Sequence, residues 1–319
     1  MASGTHRQFV HQSWRTWSIR LIMALLLCGL TAIDPSMAVH GVTRAQREPA
    51  VIEAVIPAAV QVAISVDRVT ESGQHQADIV ARGSGTIISA DGLILTAAHV
   101  VDFPTLKAEL RERAVEESPW FGQFEYAFET VQIIILGTDG YSLPQPRYLA
   151  TILEHNRALD VALLQITSDD LGNAFDPEHL SLPFVPLAST ELPAIGEQVT
   201  LLSYPGMAGG GLLTTTGTVS GYRFDYEWEP RHATALLVDV TISAGSSGGT
   251  VINARGELVG IALAATILDC RSSERIFVEE CSPSGGSVAM LAPMAALRDV
   301  LAESDAAGLQ LAATPVATP

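Results

Sequence analysis

The chain has 319 residues, 35 acidic and 18 basic, for a formal net charge of -17, and 48% of it is apolar. That apolar share fills a core and excludes a disordered chain, while the acidity excludes an electrostatic nucleic-acid binder, which needs a basic face. A single lysine, Lys107, leaves no polybasic patch for a membrane surface, and three cysteines without a C-x-x-C spacing exclude zinc fingers and dithiol redox motifs. No cofactor and no metal is expected.

Arg7, Arg15 and Arg20 precede Leu21 to Ile33, a run without charged residues. Its helix would rise about 20 Å, short of the roughly 30 Å of bilayer hydrocarbon. Ser36-Met37-Ala38 then places small residues at the -3 and -1 positions of a cut before Val39. A basic start, a short apolar stretch and a small-x-small exit describe a secretory signal peptide over residues 1–38. Retention as a membrane anchor is the alternative. A lipoprotein site at Cys28 fits less well, because Leu27 stands where a small residue is needed. Export would take the protein to the periplasm or outside the cell. There Cys270 and Cys281, the pair left after cleavage, are expected to form a disulfide rather than two free thiols.

After an N-terminal segment, 39–50, short apolar runs punctuated by glycine follow one another. They lie at 60–64, 85–88, 93–95, 131–136 and 161–166, then at 198–202, 212–219, 235–240, 251–252, 258–265 and 288–291. Many short β-rich runs at even spacing predict an all-β sandwich or barrel. The pattern doubles about residue 185, which divides the chain into 51–185 and 186–303. Between the third and fourth runs, the acidic stretch 102–130 reads as an added surface loop, with a short helix or loop over Thr105 to Glu117. Met294, Leu297, Val300 and Leu301 have helical spacing and predict a terminal helix. The Ala-, Thr- and Pro-rich tail, 304–319, is expected to be disordered.

Three motifs carry chemistry. In Thr241-Ile-Ser-Ala-Gly-Ser-Ser-Gly-Gly-Thr250, small residues around Ser247 let the backbone turn tightly and bring amide N–H groups to a substrate carbonyl. The same segment fits the G-x-S-x-G elbow of α/β-hydrolases, but that fold places its histidine after the serine, and the last histidine here is His232. A base must come from upstream. His99 stands where an apolar strand gives way to small residues, in Leu95-Thr-Ala-Ala-His-Val-Val101. Asp160 enters the apolar run Val161 to Ile166, where an unpaired carboxylate would be costly. An imidazole is its natural partner: the acid orients the ring while the ring takes the serine proton. Each motif alone is ambiguous, and the order His, Asp, Ser is not.

On these residues the sequence resembles the trypsin-like serine proteases, specifically the HtrA/Deg-type peptidase domain. Ile56-Pro-Ala-Ala-Val60 is similar to the family's opening strand, and Gly83-Ser-Gly-Thr86 with Ile94-Leu-Thr-Ala-Ala-His99 to its histidine segment. Asp160-Val-Ala-Leu-Leu164 resembles the aspartate strand, and Gly245-Ser-Ser-Gly-Gly249 with Gly256-Glu-Leu-Val-Gly260 the serine segment. The resemblance implies an all-β fold of two six-stranded barrels with a C-terminal helix and the site in the cleft between them. It makes Ser247 the nucleophile, His99 the base, Asp160 the orienting acid, and the N–H groups of Gly245 and Ser247 the oxyanion donors. It also places the floor of the specificity pocket at Thr241, with Ile242, Ile261 and Leu263 as walls. That pocket suits aliphatic side chains, and the net negative charge disfavours acidic segments.

The sequence departs from the family in three ways. No PDZ domain is expected in the few residues after the terminal helix. Ser246 stands where this branch carries Asn, and it offers no charge to pair with a freshly cut N-terminus. The interval between His99 and Asp160 is long and acidic. The reading is an exported serine endopeptidase acting on protein or peptide substrates through an acyl-enzyme. The alternatives are a catalytically silent domain that binds unfolded peptides and an esterase using the same three residues. The sequence does not speak to oligomeric state.

Overall fold

Branched and small apolar residues dominate the runs that pair, and the register of those pairs closes two barrels. The structure is a computed structural model and describes residues 44–69, 73–108, 125–176, 180–189, 192–224, 233–267 and 287–306. Contacts divide the chain at Arg47, and the following concerns Glu48 onward. After helix α1 (Arg44–Val55), the first barrel takes β1 (Ala59–Val69), β2 (His75–Ile87), β3 (Leu93–Ala97), β4 (Glu125–Gly137), β5 (Gln145–Asn156) and β6 (Val161–Asp169). Its strands bond in the closed order β1-β2-β3-β6-β5-β4. The second barrel takes β7 (Gln198–Ser203), β8 (Leu213–Phe224), β9 (Ala233–Val238), β10 (Thr250–Ile252), β11 (Leu258–Ile267) and β12 (Ser287–Pro293), followed by helix α2 (Met294–Ala306). It closes as β10-β11-β12-β9-β8-β7. Closure removes the unpaired edges that an open sheet would expose. Two six-stranded barrels and a terminal helix are thus the fold.

Both barrels feed one core. Ile64, Leu95, Ile135 and Leu163 of the first and Leu201, Leu236 and Leu291 of the second are all fully buried within it. Leu297 and Val300 bury the apolar stripe of α2. One expectation is corrected here. The acidic stretch 102–130 is not all surface loop, because β4 begins at Glu125 and its Tyr126 and Ala127 pair with Arg68 and Asp67 of β1. Long-range pairing decided this stretch, and local composition could not reveal it. Residues 103–108 are helical. The signal segment, Cys270, Cys281 and the end of the tail lie outside the described residues.

The seam between the barrels is polar and hydrogen-bonded. The hydroxyls of Thr86 and Thr250 meet at 2.7 Å in full burial. Ser84 Oγ donates to Gly245 O at 2.8 Å and accepts the Tyr204 N–H at 2.9 Å. Gly248, at φ +82°, lies so close to β2 that a Cβ there would sit 2.0 Å from Ser84 O. The connecting segment hooks both halves, through Val185 N–H to Ile87 O and Ala188 N–H to Leu258 O, each at 2.9 Å.

Tyr204, at the end of β7, reaches across the seam to donate its hydroxyl to Ala59 O at 2.7 Å. Burial pushes this phenol well above its ordinary value near 10. A raised pKa in the fold leaves the contribution whole below the unfolded value and removes it as pH rises beyond that. Stability is therefore expected to fall with pH from about 10 upward. Tyr204→Phe should cost about 1 kcal/mol at neutral pH and flatten that alkaline slope, read from denaturant titrations at about pH 8 and about pH 11. An unchanged slope would show that the phenol is not the group responsible.

Candidate active site

His99 sits in a tight 3-10 turn, Ala98–Val101, that leaves the end of β3. Its ring faces Asp160, with Nδ1 2.8 Å from Oδ2 and 3.0 Å from Oδ1. An ionised carboxylate can only accept, so Nδ1 carries the proton and the lone pair lies on Nε2. Asp160 also fixes the backbone of that turn: Oδ1 accepts His99 N–H at 3.0 Å, and its carbonyl accepts Ala98 N–H at 3.1 Å. It does so from a left-handed conformation, φ +53°, the one such non-glycine residue among those described. Asp tolerates this region better than most residues, and such conformations gather where function constrains the backbone. Asp160 ends the turn that enters β6, and its side chain is 34% exposed rather than buried. It contacts His99 without being buried, so burial is not what requires the partner.

Residues that sequence reasoning missed brace this pair. His155 of β5 holds Ala98 O at 3.0 Å through Nε2, next to the turn that carries His99. Arg157 donates to Asp102 at 2.6 Å, tying the turn before β6 to the segment after His99. Burial works to raise the Asp102 carboxyl, but hydrogen bonds from Thr105 and the Arg157 guanidinium outweigh it and hold the group below its ordinary range. Only Asp102, three residues from His99, had a neighbourhood that could have drawn notice.

Ser247 lies in a compact turn of the second barrel. Ser246 N–H bonds Ser243 O at 2.8 Å and Gly249 N–H bonds Ser246 O at 2.9 Å. The buried Ser246 hydroxyl accepts Ser243 N–H at 3.2 Å and is 3.3 Å from Ser203 Oγ. Across the seam, Ser84 N–H donates to Ser247 O at 2.7 Å, which brings the serine against β2. Gly245 has φ +94°, and a Cβ there would stand 2.7 Å from Tyr204 O. Among the described hydrogen bonds, the N–H groups of Gly245 and Ser247 have no acceptor. The Ser247 hydroxyl donates to Leu263 O at 3.1 Å. It has no hydrogen bond to His99 among those described.

Around it, Thr241 is exposed, while Ile242 and Leu263 are half-buried against the core. Ile261, opposite Thr250 in the β10–β11 ladder, is fully buried and presents no surface to a ligand.

Two closed barrels, with a paired histidine and aspartate on one and a serine turn docked from the other, define the class of trypsin-like peptidases. The family model of the trypsin-like peptidase domain matches residues 83–261, more than half of the chain, and the chain belongs to that family. Among its relatives, "Protease Do-like 2, chloroplastic" of Arabidopsis thaliana is 25% identical over 190 residues, covering 59% of this chain and 24% of that protein. A "Probable periplasmic serine endoprotease DegP-like" of Pseudomonas fulva is 28% identical over 242 residues, covering 76% and 38%. "Periplasmic serine endoprotease DegP" of Escherichia coli is 26% identical over 191 residues, covering 59% and 31%. The chain thus spans between 24% and 38% of the length of these relatives. The crystal structure of the serine endoprotease from Yersinia pestis shares the fold, with a TM-score of 0.51 at 21% identity over 84% of this chain and 68% of that one.

Proposed function

We propose that this chain is a serine endopeptidase that cleaves peptide bonds through an acyl-enzyme, with Ser247 as nucleophile, His99 as base and Asp160 as orienting acid. The observation that carries the reading is the double contact of Asp160 with His99, to ring and to backbone, which leaves Nε2 as a free base. For attack, the Ser247 hydroxyl must exchange Leu263 O for that nitrogen as its partner. Oγ then attacks the substrate carbonyl carbon as its proton passes to Nε2, and the Asp160 carboxylate stabilises the imidazolium. The N–H groups of Gly245 and Ser247 receive the charge on the carbonyl oxygen, an effect worth about 10²–10³-fold per donor. His99 next protonates the leaving amine, and water repeats the sequence to release the acid.

The basic, apolar and small-residue signature of residues 1–38 supports action outside the cytoplasm, as do the periplasmic proteases among the relatives. Thr241, Ile242 and Leu263 remain as the pocket for the residue before the cut. They carry no charge and suit Val, Ile, Ala or Leu, at roughly 0.8 kcal/mol per buried methylene. The buried Ser246, already held by hydroxyl and amide partners, leaves no carboxylate for a new N-terminal ammonium, so activity should not depend on a fresh N-terminus. A fluorophosphonate probe tests the reading directly. It should add one adduct to the wild-type chain, detected by intact mass, and none to Ser247→Ala. Equal labelling of both would remove Ser247 from the role.

A further inference from the structure

A cavity of about 570 Å³ opens where the turn after Tyr204 faces β1, β2 and the β4–β5 turn. It reaches the turn that carries the proposed oxyanion donors through Ala244 and Gly245, and none of Thr241, Ile242 or Leu263 lines it. It is therefore a second recess beside the same reacting centre, of the size that takes a side chain and more. Its chemistry runs against that of the whole chain. The sequence has 35 acidic residues, yet among the described residues no carboxylate lines this wall, and Arg82 is the one charged residue there.

Gln61 forms the floor and is 1% exposed. Arg82 Nη1 donates to Gln61 Oε1 at 2.8 Å. A guanidinium has no acceptor, so this bond fixes which way the amide faces: oxygen to Arg82, nitrogen away from it. That nitrogen, Nε2, is buried without a partner among the described residues, 3.9 Å from where a Cβ on Gly210 would project. Gly210 lines the same cavity. A buried donor left unpaired is costly, a penalty relieved when a ligand brings an acceptor. The remaining guanidinium N–H groups of Arg82 bond nothing else among the described residues, and the side chain is exposed. Tyr204 already donates its hydroxyl to Ala59 O, so the cavity offers donors and positive charge. On its rim Leu143 is 60% exposed, and Met207, in the facing turn, is 68% exposed.

We propose that this cavity is a carboxylate subsite: Gln61 Nε2 and the Arg82 guanidinium receive a carboxylate carried by a peptide, whose apolar neighbours rest on Leu143 and Met207. The carboxylate comes from an acidic side chain or from a chain end. This deepens the peptidase reading and rests on it for the peptide, but carboxylate binding needs no turnover. It also revises the expectation, drawn from net charge, that acidic segments are disfavoured.

The test uses the full chain carrying Ser247→Ala, and calorimetry with three short peptides of one aliphatic sequence. One has an internal Glu and an amidated end, one has no acid and a free carboxylate end, and one has neither. At least one carboxylate peptide should bind about tenfold tighter than the neutral one, with the advantage shrinking as salt rises; which of the two does so identifies the source. Arg82→Met, at an exposed position, and Gln61→Met should each reduce that advantage below about twofold in variants that still unfold cooperatively. If Gln61→Met fails to fold, Arg82→Met decides alone. Equal affinity for all three peptides, no binding of either carboxylate peptide, or an advantage that survives Arg82→Met overturns the subsite. Fluorophosphonate labelling of the wild-type chain separates the two readings. Lost labelling with carboxylate binding intact sinks the peptidase and leaves the subsite, and the converse sinks the subsite alone.

Discussion

Asp160→Asn is expected to lower kcat/KM for a peptide substrate by roughly 10⁴-fold while leaving Tm almost unchanged. Asparagine is the substitution best suited to isolate the chemistry. It tolerates the left-handed backbone that Asp160 adopts, and its amide oxygen can still accept the His99 N–H. What changes is the ring. An amide NH₂ facing Nδ1 donates where the carboxylate accepted, so the imidazole proton moves to Nε2, which then cannot take the proton of Ser247. His99→Ala should cost as much or more, because base and nucleophile act as a unit. Turnover of Asp160→Asn within tenfold of wild type would mean that the ring is not oriented by this carboxylate.

The second large effect is structural. Gly248→Ala should destabilise the fold by about 3 kcal/mol or more, lower Tm by about 10 °C, and abolish labelling at Ser247. A methyl group there would meet Ser84 O at 2.0 Å, Thr96 Oγ1 at 2.4 Å and Ala97 N at 3.0 Å, and the backbone sits at φ +82°. The chain offers its own control. Gly196 has φ +85° with open space where a Cβ would go, so Gly196→Ala carries only the conformational penalty of about 1–2 kcal/mol. Thermal melts of the two variants separate crowding at the seam from backbone strain. Equal losses would mean that the seam yields to the methyl group.

The two barrels were legible because most strands contain a short apolar run, some of them with glycine just before, as in Leu93–Ala97 and Gln198–Ser203. β5 was not. Gln145–Asn156 includes Pro146, lacks alternation and leaves most of its side chains at least partly exposed, so no local pattern marks it as a strand. It is held by its neighbours, β4 and β6, through pairs such as Ile133 with Ala150 and Ile152 with Leu164. The candidate site follows the same division. His99, Asp160 and Ser247 stand at strand ends in short, distinctive segments. Their supports do not: the Arg157–Asp102 bond spans 55 positions and the His155–Ala98 bond 57, distances over which sequence carries no pattern. The Gln61 amide nitrogen, without a partner among the described residues, was hidden in a strand of ordinary composition. Ile261 was read as a pocket wall because the resemblance carries over a segment but not which of its side chains the core covers.

Each barrel closes from an unbroken stretch of chain, 59–169 and then 198–293, with no strand exchanged between them. All strands of the first thus precede those of the second in the chain. The second is complete only once its closing strand, Ser287–Pro293, has been added. Ser247 belongs to that later half, and the seam that presses it against β2 needs both halves finished. On the proposed reading, hydrolytic power needs a second barrel whose closing strand lies about forty residues beyond Ser247, as well as the whole of the first. A chain made only as far as the first barrel has the histidine and the aspartate but no nucleophile that could harm its neighbours or itself.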